Sequence, residues 1–87
     1  MTITVELYGI ARRRAGTAYA TATGRRLGDV LADLARQFPE LAEVCFDGGR
    51  LKPGFVANVD GDRFVSDPQT PLGGETSLLI LSADAGG

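Results

Sequence analysis

The sequence contains no histidine. That removes the commonest general base and the commonest metal ligand, and argues against a Ser-His-Asp machine or a self-contained metal site. It contains one cysteine, Cys45, so no internal disulfide is expected, and a cytoplasmic location fits. Lysine is as scarce: Lys52 stands alone. No long apolar run is present, so no membrane-spanning helix is expected. The first residues, Met1 to Glu6, alternate and lack the basic start and apolar run of a signal peptide. Neither sign of charge is in large excess; the net charge is −2, which points away from nucleic acid and anionic membranes.

What is present suits one small domain. A chain of 87 residues buries roughly 60–65 % of its unfolded surface, enough for a single core without staples. The apolar fraction of 44 % and charged fraction of 23 % are ordinary globular values.

Taken in order, Thr2 to Tyr8 alternates cleanly, with Ile3, Val5 and Leu7 on one face. Period two with β-branched residues predicts a half-buried strand. Ile10 to Ala15, closed by Gly16, predicts a single helical turn. Its three adjacent arginines, Arg12 to Arg14, read either as a solvated turn or as a phosphate contact; three consecutive residues cannot share one helix face. Thr17 to Thr23 reads as a second, weakly apolar strand in a hairpin with the first.

Leu27, Val30, Leu31, Leu34 and Phe38 recur at helical spacing and predict the main helix, with Asp29 and Asp33 off the stripe. Arg26 stands where a capping Ser, Thr or Asp is expected. Pro39 ends this helix, and Glu40 to Phe46 reads as another short turn. Cys45 there reads as a small buried hydrophobe rather than a nucleophile. Asp47 to Gly54 is a loop by composition. Phe55 to Asp60 predicts a third strand, Asp60-Gly61 a tight turn, and Asp62 to Val65 a short returning strand.

Thr76 to Ser82 is the last strand, and it is apolar on both faces: Leu78 and Ile80 on one, Leu79 and Leu81 on the other. This pattern suits a central strand covered on both sides. The second face is either covered by Phe46 or Phe55 or left as a partner surface. The expected arrangement is α+β: a mixed four- to five-stranded sheet packed on one main helix, with Ile3–Leu7 and Leu78–Leu81 parallel neighbours in the centre. Residues 1–82 form the domain and 83–87 a flexible tail.

That tail is Ala83-Asp84-Ala85-Gly86-Gly87. Two glycines leave a terminal carboxylate slim enough to thread a narrow channel and be activated by adenylation. The bland alternative is a frayed end or a cloning scar.

In order and position, several short stretches together resemble the MoaD/ThiS family of ubiquitin-like sulfur carriers. They are Ala11-Arg12-Arg13-Arg14-Ala15-Gly16, Leu27-Gly28-Asp29-Val30-Leu31, Leu51-Lys52-Pro53-Gly54, Val59-Asp60-Gly61, Thr70-Pro71-Leu72 and Ala85-Gly86-Gly87. The resemblance implies a β-grasp fold and a carrier that catalyses nothing itself. It implies that an adenylating, ubiquitin-activating-type enzyme consumes ATP to activate the Gly87 carboxylate, with Gly86 beside it. A sulfur donor then forms a thiocarboxylate, and an acceptor enzyme such as a molybdopterin synthase large subunit receives the sulfur. Leu79 and Leu81 become the docking face, and Ala83, Asp84 and Ala85 contact the channel. No cofactor is bound permanently. The chain departs from the family pattern at Asp60, where many members have Asn, and at Asp84, which adds a charge near the end. Two other classes stay open: a ubiquitin-like modifier joined through Gly87 to lysines, and a β-grasp binding module with an inert tail.

Overall fold

The computed structural model describes residues 2–83. Asp84, Ala85, Gly86 and Gly87 lie outside the described residues. The elements run β1 (Thr2–Leu7), α1 (Gly9–Ala15), β2 (Tyr19–Thr23), α2 (Leu27–Gln37), α3 (Pro39–Cys45), β3 (Phe55–Val59), β4 (Arg63–Val65) and β5 (Ser77–Ser82). The strands form one mixed sheet in the order β2-β1-β5-β3-β4. β1 and β5 are parallel, with Val5 opposite Leu78 and Leu7 opposite Ile80. Every other pairing is antiparallel. The two most apolar strands therefore lie side by side in the interior of the sheet, as their sequences predict.

One face of the sheet carries the core. Ile3, Val5 and Leu7 of β1, Leu78 and Ile80 of β5, and Ala57 and Val59 of β3 cluster with Leu27, Val30, Leu31 and Leu34 of α2. Leu41 and Cys45 of α3 and Ala11 of α1 complete that cluster. The predicted stripe of α2 is thus the buried one. Phe46 is buried in the core, and Phe55 packs against it. Neither covers the opposite face, which corrects one of the two sequence readings of that surface.

Local chemistry explains the element ends. α1 stops at Gly16, whose left-handed φ of 79° lets its amide donate to the Arg12 carbonyl. Pro39 both ends α2 and starts α3, because a proline at the first helical position gives up an N–H that has no helical partner anyway. The stretch read as a turn is therefore a seven-residue helix. α2 needs no capping side chain at Arg26. The Leu27 amide donates to the Thr70 carbonyl and the Gly28 amide to the Pro68 carbonyl, both at 2.9 Å, so a neighbouring loop caps the helix. That contact also explains Gly28: an added Cβ would stand 3.1 Å from Pro68 Cβ and 3.2 Å from its oxygen.

Asp33 is the unexpected core member. It lies off the apolar stripe yet is only 7 % exposed. Its carboxylate accepts from the Thr23 amide at 2.9 Å and from Gln37 Nε2 at 3.2 Å, and pairs with the Arg36 guanidinium. It staples α2 to the end of the edge strand β2, and these partners offset the cost of burying its charge.

Candidate functional site

β5 decides what the site is. Its apolar residues alternate across the sheet, so the Leu78 and Ile80 side chains go to the core and the Leu79 and Leu81 side chains to the outer face. No helix side chain of the core cluster packs on that outer face. Leu79 is half-buried, whereas Leu81 is only 6 % exposed. The strand register extends the Leu79 position into a row across all five strands: Tyr19, Glu6, Leu79, Asn58 and Phe64. At the usual spacing of neighbouring strands this row spans roughly 19 Å. Tyr19 and Phe64, at its two ends, are 62 % and 66 % exposed. Val56, opposite Leu81, adds a further apolar side chain.

Asn58 sits within this row, 8 % exposed, and its buried Oδ1 has no hydrogen-bond donor among the described residues. An amide oxygen in that state costs stability in the free protein. Phe64 and Asn58 were not singled out from the sequence. The signal for Phe64 is the Asp60-Gly61 turn, which sets the hairpin register and so places Phe64 opposite Asn58.

That turn is held on both sides. Asp60 and Gly61 take left-handed φ of 56° and 69°, a conformation Asp tolerates and Gly favours. The Asp60 amide donates to the Ser77 carbonyl, and Asp60 Oδ1 accepts from the Ser77 amide, both at 2.8 Å. The side chain at this position therefore fixes the start of β5 as well as the turn, and a carboxylate serves as acceptor there.

The other end of β5 is fixed with equal care. Ser82 pairs with Phe55. The Ala83 amide donates to the Gly54 carbonyl at 2.8 Å, and the Ile80 carbonyl accepts from the Tyr8 amide at 3.0 Å. The strand is thus tied on both flanks up to the last described residue. Of the site residues named from the sequence, Leu79 and Leu81 lie on β5 and Ala83 directly follows its end. Asp84, Ala85, Gly86 and Gly87 lie outside the described residues.

Cys45 lies in the core behind this end of the sheet, with no exposed surface. Burial raises its thiol pKa above the ordinary value of 9.0, while the nearby Lys52 and Arg14 charges pull the other way. The thiol is kept neutral, as a small buried hydrophobe should be. A pKa raised on folding stabilises the fold fully below the unfolded value and loses that contribution as pH rises through the folded value. Stability should therefore fall above about pH 9, and Cys45→Ala should flatten part of that fall. Denaturation midpoints of both proteins across the alkaline range check this. Among the described residues no group of acidic or cysteine side chains could hold a metal ion.

No protein-family model and no curated protein matches the chain. Solved structures do. SAMP1 of Haloferax volcanii, small archaeal modifier protein 1, superposes with a TM-score of 0.82 at 19 % identity, over 100 % of both chains. The Amycolatopsis orientalis BexX/CysO complex matches with a TM-score of 0.81 at 21 % identity, over 98 % of this chain and 99 % of that one. The chain has the ubiquitin-like β-grasp fold. CysO of Mycobacterium tuberculosis adds a TM-score of 0.79 at 27 % identity, over 93 % of this chain and 98 % of that one. These neighbours are small ubiquitin-like proteins of the MoaD/ThiS type, the type the sequence resembles. Among the described residues no helix is long and apolar enough to cross a membrane.

Proposed function

We propose that this β-grasp protein is a sulfur carrier. An activating enzyme uses ATP to adenylate the Gly87 carboxylate, and a sulfur donor displaces the adenylate to leave a thiocarboxylate. An acceptor enzyme then takes the sulfur, in molybdopterin synthesis or a related sulfur-transfer route. The observation that carries the reading is the anchoring of β5. An interior strand bonded on both flanks runs into Ala83, so the four residues that follow start from a fixed point. Fully extended, four residues reach at most roughly 13–14 Å beyond it. That suits delivery of a carboxylate into a partner's channel, with the Leu79 face docked outside. The chemistry belongs to the partners, and the fold contributes presentation. The test is the intact mass of the chain after incubation with ATP, an activating enzyme and a sulfur donor, with a variant lacking Gly87 as control.

A second reading is favoured by the likeness to a small archaeal modifier protein. Here the activated Gly87 forms an amide with lysines of other proteins. Lys52 is the sole internal acceptor for chains of this protein, and its Nζ donates to the Glu43 carbonyl. A covalent ladder in lysate that disappears with Gly87 would mark this use of the same activated end.

A further inference from the structure

Asn58 is out of place by two measures. Asparagine is depleted in strands, yet Asn58 stands in β3, inside the sheet, on the face turned away from the core. It is 8 % exposed, and among the described residues nothing donates to its buried Oδ1. Buried amide oxygens are nearly always hydrogen-bonded, so an orphan calls for a cause. Folding does not supply one: a valine or threonine would suit the strand better and leave no amide stranded.

The neighbours describe the missing donor. Directly opposite Asn58 on the same face stand Leu79 of β5 and Phe64 of β4. Val56, two residues back on β3, faces the same way. The surroundings of Asn58 are therefore apolar. Glu6 lies beyond Leu79, two strand spacings or roughly 10 Å away. The Tyr19 hydroxyl donates to it at 3.4 Å. A charged donor placed at Asn58 would lose its hydration among apolar groups. A neutral N–H or O–H on an aromatic body loses far less. The amide can be opened to such a group. Phe64 is 66 % exposed and takes no part in the core cluster, so its ring is free to swing aside. The Cβ–Cγ torsion of an asparagine is soft, so Oδ1 can turn outward.

We infer that Asn58 is a specificity-determining residue of the docking face: its Oδ1 accepts a hydrogen bond from a neutral N–H or O–H on an aromatic side chain of the activating enzyme, packed against Leu79 and Phe64. The inference rests on the reading of the Leu79 face as docked to that enzyme. The fold has already taken Oδ1 out of water, so an arriving donor gains the hydrogen bond without that desolvation. Aromatic side chains with a polar tip are the usual anchors of such surfaces. A partner surface that is apolar throughout would cover the same row and gain no bond, which is how the amide discriminates.

The experiment measures adenylation of the whole chain by the activating enzyme, as pyrophosphate exchange, for the natural chain, Asn58→Val and Asn58→Thr. The two substitutions have the same shape and differ by a methyl against a hydroxyl, and both suit a strand. The expected result is a KM raised about tenfold for Asn58→Val with kcat unchanged. Asn58→Thr should lie nearer the natural value, because its hydroxyl can accept. The loss should be equal at low and high salt, since a neutral hydrogen bond is not screened. The denaturation midpoint of Asn58→Val should equal or exceed that of the natural chain. Equal KM values for all three overturn the inference and leave the reading of Gly87 intact. A loss that shrinks in high salt assigns a charged donor and overturns it. A lowered midpoint for either variant shows that the amide is held inside the domain and also overturns it. A natural chain that sediments as a dimer, and as a monomer once Asn58→Val is made, with KM unchanged, assigns the acceptor to a second copy and overturns it too. Failure of the natural chain itself to be adenylated overturns both readings.

Discussion

Replacing Ile80 by Ala should lower the stability of the domain by about 2–5 kcal/mol. Ile80 is fully buried on β5 and stands between Leu7 of the parallel neighbour and Ala57 of the antiparallel one. Its side chain meets the core formed by α2 and α3, so truncation leaves a cavity that no single neighbour can fill. A small domain has only about 5–15 kcal/mol in total, so the loss is a large share of it. The midpoint of denaturant unfolding measures the effect. Because β5 also carries the tail, conversion of the variant should track its folded fraction and recover under stabilising conditions. A loss below about 1 kcal/mol would show that β5 is not the strand on which the sheet depends.

Leu79→Glu should have the opposite profile: a small change in stability and a large change in partner binding. Leu79 is half-buried and turned away from the core. The glutamate would lie opposite Glu6, so like charges cost up to about 1 kcal/mol of stability. In a docked complex the same charge would be desolvated at the middle of the apolar row. A loss of about 2 kcal/mol, roughly thirtyfold in Kd, is expected for the activating enzyme. Leu81 lies on the same face but is nearly closed to solvent, so Leu79 is the cleaner probe. Titration calorimetry, with a denaturation curve as control, separates the two terms. Unchanged affinity would remove the Leu79 face from the interface.

The comparison of sequence with structure turns on range. β1, β5 and α2 were legible because a side chain's face follows from its own neighbours, at period two or near 3.6. The parallel pairing of β1 and β5 followed because only those strands were apolar enough for the interior. Asp33 was not legible. Its burial depends on the Thr23 amide, ten residues away in sequence and on another element. The helix start at Arg26 looked poorly capped because its caps come from Pro68 and Thr70. α3 looked like a turn because a proline reads first as a stop, and only its position at the helix start shows the second role. In the candidate site, alternation alone assigned the faces of Leu79 and Leu81. Their different exposure, and the presence of Asn58 and Phe64 in the same surface, required the register of β3 and β4.

The central claim concerns one atom of the Gly87 carboxylate. The direct measurement is the intact mass of the whole chain after incubation with ATP, the activating enzyme and a sulfur donor, followed by fragmentation to locate any change. The predicted result is the replacement of one oxygen by one sulfur, confined to Gly87 and absent from the variant that lacks it. A plain carboxylate, under conditions that convert an established carrier, would contradict it.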